Sequence, residues 1–473
     1  MEDQISEPEH WADAVQVFHD PDTDTRCIYR VPNKLRKVNE AAYTPQLISI
    51  GPFHHGKPEL KDMETHKIIY CDNFFERSSK TTDELKHFIE GCQEQILRCY
   101  AGTISQVDNY FRDVILRDAG FIIELFLTNS ENPENYYHIL RSPWLRKAIE
   151  QDLILFENQL PYFILEDLYN FAKPKPKPNS YSPSRNKVQA RGQANRRHRC
   201  IDLDQICYCL PCCRPNQPRD YAVEIIEATV HPFLKLTCEF FNYYGTKENS
   251  VRKGLDIRNF TDLVRHFLCP AEEMTWVGSR LTPIKNIYDA RKLKAAGVNF
   301  RLLKEAGFVV KGHESHHCNF NSACFTSMDL KLTQFCVKDE TECVIRNVMA
   351  LEQFLYPECA SICEYFLLMD KLVDTVEDVN LLIDSGVVVN NLGSNERVTN
   401  LINQLCEQIM DDVSCYGDLC DKLNKHYGIS FWNRHVALLK RVYFKDLWTA
   451  SSTILGIFVL VFSIFGTIKS LKS

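Results

Sequence analysis

The run WTASSTILGIFVLVFSIFGTI at residues 448–468 contains no charged side chain. As a helix it would extend roughly 30 Å, the thickness of a bilayer's hydrocarbon core. A core helix of that length normally keeps one polar face. Here Ile454, Leu455, Ile457, Phe458, Val459, Leu460, Val461, Phe462, Ile464, Phe465 and Ile468 leave none. Trp448 stands where an interfacial aromatic belongs, with Lys440, Arg441 and Lys445 before the run and Lys469 and Lys472 after it. The sequence therefore predicts one transmembrane helix over residues 447–469, with a short tail at 470–473. The opening MEDQISEPEHWADAV lacks the basic and apolar regions of a secretory signal. Together these features predict a tail anchor in the plasma membrane or an endomembrane, with a cytosolic body. Lys and Arg nearly balance across the run, which leaves an extracellular body as the alternative.

Upstream, the chain reads as one large, mainly α body with a few short β-strands, an α+β class. Gly is scarce, at 18 of 473 residues, while Phe reaches 28 and Tyr 20, which suits helices with large core side chains. Helical spacing is clearest where Leu85, Phe88, Ile89, Cys92 and Ile96 share a face. Residues 144–171 predict two helices broken at Pro161, with Glu157, Asn158 and Gln159 at the break, where backbone groups are left free. Short β-like runs occur at 28–31, 47–50, 298–303 and 331–337. Asp339 with Glu342, and Thr375 with Asp378, have capping-box spacing. The 20 cysteines scatter through helix-like segments and predict reduced, buried thiols, an oxidised framework being the alternative.

Residues 173–220 differ. They open KPKPKPNSYSPS and hold eleven Lys or Arg against three Asp, a charge of +8 that leaves −15 on the rest of a chain totalling −7. This predicts a disordered basic insert between the two parts of one body, 26–172 and 221–446, after an acidic arm at 1–25. Within the insert, Cys207, Cys209, Cys212 and Cys213 form CYCLPCC. Lipidation of these thiols beside cationic side chains is one reading; a zinc site and an unmodified loop are the others.

No phosphate loop, dinucleotide fingerprint, serine elbow or zinc-protease motif occurs in the sequence. The densest reactive stretch is Ser49 to Gly56, with His54 and His55. It reads first as a turn whose histidines bond neighbours, and second as part of a dispersed enzyme site with Glu124 or Glu157. His313, His316, His317 and Cys318 form a single clump, whereas zinc sites usually combine two spaced pairs. The net charge of −7 excludes a general nucleic-acid binder. The residues predict no cofactor, no metal and no small-molecule substrate. The partners expected are the lipid bilayer and an unidentified protein.

The segments YRVPNKLRKVNEAAYTPQLISIGPFHHG, RDAGFIIELFL, DLILFENQLPYFILEDLY, ARKLKAAGVNF, NVMALEQFLYP and YFLLMDKLVDTVEDVNLLIDSGVVVNNLG occur in one order from residue 27 onward. Together they strongly resemble the plant family called domain of unknown function 247. The resemblance implies a plant membrane-associated protein with one terminal transmembrane helix and no known enzyme activity. Association of some relatives with self-incompatibility in grasses suggests recognition. Two departures stand out: Ala119 replaces the expected Asp before Gly120, and Lys445-Asp446-Leu447-Trp448 keeps only the tryptophan of an expected Asn-Pro-Trp. The function expected is a membrane-anchored protein–protein interaction or recognition module, in signalling or self-recognition; a dispersed-site enzyme and a receptor with an extracellular body are the alternatives.

Overall fold

Apolar residues recurring every three or four positions give most of the chain its helices, and local capping groups set their ends. The computed structural model describes residues 25–102, 104, 109–131, 138–176, 231–241, 256–269, 287–305, 307–317, 325–410 and 414–429, with isolated residues 459 and 463. Thr81 and Glu84 close a capping box at the start of the helix Thr82–Arg98. Thr375 and Asp378 form the predicted one ahead of Val376–Asp384. The box predicted from Asp339 does not form. The helix Thr341–Leu355 starts after Glu340 with no side-chain cap, and the Thr341 hydroxyl instead accepts from the Lys338 amide.

The helix Asn109–Ser130 runs unbroken through Gly120. It packs along Lys61–Arg77. Gly120 permits the approach, because a Cβ there would lie 2.9 Å from the Cys71 sulfur. Strand β1 (Ile28–Tyr29) pairs in parallel with β2 (Tyr100–Ala101). A three-stranded sheet has the order β3 (Val298–Leu303), β5 (Phe325–Thr333), β4 (Val310–His317). Strand β6 (Phe335–Val337) lies parallel to β7 (Val388–Asn390). One buried apolar cluster extends from Cys27 to Leu423, so both parts of the body share a core.

Residues 47–50, a β-like run in sequence, form no strand. Their amides bond to side chains of the segment 152–158, as described below. The mainly helical α+β class holds, but the terminal transmembrane helix expected with it is corrected. Among the described residues no helix is long and apolar enough to cross a membrane. The longest, Asn109–Ser130, is interrupted by Arg112, Asp113, Arg117, Asp118 and Glu124. Of residues 448–468 only Val459 and Ser463 are described, each as helical; the other anchor residues named above lie outside the described residues. The insert is described only as far as residue 176, where the Lys175 amide donates to the Arg77 carbonyl at 3.0 Å.

A second, smaller cluster gathers Val31, Leu35, Ala42, Tyr43, Phe156, Ala350 and Leu351. Phe156 is fully buried, and its ring lies 6.1 Å from that of Tyr29 and 6.0 Å from that of Phe354. Phe156→Ala should therefore cost about 3–5 kcal/mol, as for other core aromatics. Chemical denaturation of wild type and variant measures this, and an unchanged midpoint would contradict the core placement.

Candidate functional site

The break predicted around Pro161 becomes an irregular turn, residues 154–161, between the helices Pro143–Leu153 and Tyr162–Ala172. Glu157, Asn158 and Gln159 are at most 2% exposed. A buried backbone group without a partner is costly, so a turn at this depth must be bonded by side chains. Asn158 accepts from the Ile50 amide at 2.7 Å and donates to the carbonyls of Ile48 and Asp152, each at 2.9 Å. Gln159 donates to the Leu153 and Leu155 carbonyls, and its oxygen accepts from the Phe260 amide at 2.9 Å. That last bond fills an orphan donor in the first turn of the helix Phe260–Leu268. Asn259 caps the same helix, and the Thr261 hydroxyl donates to the Ile154 carbonyl.

Glu157 accepts from the Val31 amide and pairs with Arg36 at 2.5 Å. Its other oxygen lies 3.1 Å from His54 Nε2, though outside hydrogen-bond geometry, so neither ring nitrogen of this buried histidine has an aligned partner. Burial pushes the Glu157 carboxyl up, but His54, Arg36 and the Val31 amide outweigh it and hold it below the usual range. Burial pushes His54 down despite the pull of Glu157, which favours the neutral ring. His55 meets the Tyr110 hydroxyl at 2.7 Å. The structure thus joins His54 to Glu157, whereas Glu124 is held by Arg77 at 2.9 Å.

Four participants were not singled out as site residues from sequence, although each lies in a segment that carries the family resemblance. Asp152 accepts from the amides of Gln46, Leu47 and Ile48 at 2.7–2.9 Å. Asp118 accepts from the Gly51 amide at 2.8 Å and pairs with buried Lys67 at 2.7 Å. Asn347, from the helix Thr341–Leu355, accepts from the Phe156 amide at 2.9 Å and donates to the Ala42 carbonyl at 2.7 Å. Farther along, Glu352 pairs with Arg265 at 2.9 Å and accepts from the Ile362 and Cys363 amides. The signal available in sequence was a polar residue at the edge of, or within, a strongly apolar segment, which must find a partner when buried.

The arrangement spends its polar groups on backbone. Among the described residues no group of three or more His, Cys, Asp or Glu could hold a metal ion. His313 is exposed on β4, the backbones of His316 and His317 end that strand, and Cys318 lies outside the described residues. Cys207, Cys209, Cys212 and Cys213 also lie outside them. A small, mostly apolar cleft lies elsewhere, between Leu268, Phe308, Phe335, Val344 and Ile345.

These features define a helix-rich α+β body whose loops are locked onto a buried polar turn. The chain belongs to the plant family domain of unknown function 247, described as plant protein of unknown function, whose pattern matches residues 28–462. It is similar to the UPF0481 protein At3g47200 of Arabidopsis thaliana, with 23% identity over 457 residues, covering 94% of this chain and 86% of the relative. It is also similar to the putative UPF0481 protein At3g02645 of the same plant, 22% identical over 510 residues, covering 95% of this chain and 91% of that one. No solved structure matches.

Two predictions follow from the loop–turn bonds. Gly51 has φ +71°, and a Cβ there would lie 2.5 Å from the Gln159 carbonyl oxygen. Gly51→Ala should cost about 2–4 kcal/mol, from left-handed strain plus the clash. Gly56 also has positive φ but open space around it, so Gly56→Ala should cost only about 1–2 kcal/mol. Equal losses on denaturation would contradict the close approach.

Burial raises the Asp152 carboxyl to about 6, against the three amides that pull it down. A raised folded-state pKa means that the folded protein binds more protons than the unfolded chain between about pH 4 and 6, so this group's contribution falls as pH rises through that window. Wild-type stability should fall relative to Asp152→Asn by about 2–3 kcal/mol between those pH values and stay level above them. Denaturation at several pH values measures the difference; a difference that grows with pH would contradict it.

Proposed function

We propose that this protein is a protein–protein interaction module, a rigid body that presents aromatic and aliphatic side chains to a partner. The supporting observation is Trp144. It is 69% exposed on the first turn of the helix Pro143–Leu153. The same helix is firmly seated: Ser142 caps it, Ile149 and Leu153 are buried, and Arg146 reaches both Glu150 and the Phe240 carbonyl. A tryptophan held in water on a fixed helix is the residue type that most often anchors an interface. The rival reading is an enzyme using His54 beside Glu157. In the interaction reading that pair is structural, since Glu157 is engaged by the Val31 amide and Arg36.

Replacing an exposed side chain should change stability by no more than about 0.5 kcal/mol. Proximity labelling in intact plant cells with wild type and Trp144→Ala tests the proposal. A reproducible set of protein neighbours should be lost or thinned in the variant while its thermal melt stays unchanged. Identical neighbour sets for the two proteins, with both folded, would contradict it.

A further inference from the structure

Cys27 and Cys99 come together at the β1–β2 pair. The parallel register sets Ile28 opposite Tyr100 and Tyr29 opposite Ala101, which places the two cysteines side by side one position earlier. The Cys27 amide donates to the Cys99 carbonyl at 2.9 Å. Neighbouring strands lie about 4.8 Å apart, within the Cα separation of roughly 4.4–6.8 Å that a disulfide requires. Both thiols are free, and both are nearly buried, at 5% and 6% exposure. Exposed Thr25 and half-buried Arg26 immediately precede Cys27, so a short local opening there would admit a small oxidant.

We propose that Cys27 and Cys99 are an oxidisable pair, which a hydroperoxide converts to a disulfide stapling β1 to β2. Interaction with the Cys27 thiol lowers the Cys99 thiol against the opposing effect of burial; the same interaction, reinforced by burial, raises Cys27 well above the ordinary thiol range. Cys99 is thus the attacking sulfur and Cys27 the resolving one. The Cys99 thiolate attacks a peroxide oxygen, the O–O bond breaks, and water leaves after protonation, giving a sulfenic acid. The Cys27 sulfur then attacks Cys99; the S–S bond forms, the S–O bond breaks, and the sulfenic oxygen leaves as a second water. Two thiols lose two electrons and two protons, and one hydrogen peroxide becomes two waters. The site matters to the fold because the Cys27 thiol reaches the Arg258 carbonyl at 3.8 Å, and the Cys27 carbonyl accepts from Asn259 at 2.8 Å. Oxidation would alter the joint where the start of the body meets the helix Phe260–Leu268.

Peptide mapping of the full chain after treatment with hydrogen peroxide and alkylation of the remaining thiols tests this. The expected product is a peptide pair linked through Cys27 and Cys99 that dithiothreitol separates. In Cys27→Ser, Cys99 should accumulate as a sulfenic acid that dimedone traps. The wild-type map requires no variant to fold. Cys27 and Cys99 both recovered alkylated, or Cys99 recovered as sulfinic acid without the link, would overturn the proposal.

Discussion

The fold depends on how one buried turn satisfies its own backbone and that of its neighbours. Glu157, Asn158 and Gln159 are consecutive, yet they bond to the amides of Val31, Ile50 and Phe260, more than 100 residues away in sequence. Asn347 reaches in from still farther to the Phe156 amide. Each bond supplies a partner that regular structure does not provide at that amide: Val31, Ile50 and Phe156 lie outside any strand or helix, and Phe260 opens a helix. The loop at 46–51 is the clearest case. Its amides at Gln46, Leu47, Ile48, Ile50 and Gly51 all donate to side-chain oxygens of Asp152, Asn158 and Asp118.

Such a network is costly wherever it carries charge, because a buried carboxylate must be matched by bonds or by an opposite charge. The body meets this demand in three ways. Asp152 uses amides alone, and its carboxyl is pushed up accordingly. Asp118 combines an amide with the Lys67 ammonium. Glu352 combines two amides with the Arg265 guanidinium, which also stacks 3.8 Å from the Tyr356 ring centre. An apolar replacement for any one of these groups would strand its partners, so specificity of the loop paths rather than net stability is the physical gain.

Much of the helical body was legible. The apolar stripe over Leu85 to Ile96 forms the helix Thr82–Arg98, and the box at Thr375 and Asp378 caps the helix Val376–Asp384. The crowding of polar residues before Pro161 marked the turn, because local polarity inside an apolar run is visible in sequence. The identity of the bonded amides was not legible, since those partners are set by tertiary packing at separations of 100 residues or more. The run at 47–50 looked like a strand because alternation cannot tell a ladder partner from a side-chain partner. The transmembrane helix was expected from the charge-free run at 448–468, its flanking residues and the family resemblance, and the described residues contain no such helix.

Hydrogen exchange of the full chain, resolved to peptides spanning residues 46–51, 156–160 and 256–262, bears most directly on the role of the turn. Amides outside regular structure, or in a helix's first turn, ordinarily exchange early, because nothing in a helix or ladder holds them. The amides of Ile48, Ile50, Gly51, Phe156 and Phe260 should instead be protected as long as those in the centre of the helix Asn109–Ser130. Exchange of these amides at the rate of open loops, with that helix still protected, would contradict the turn's role as the lock of the fold.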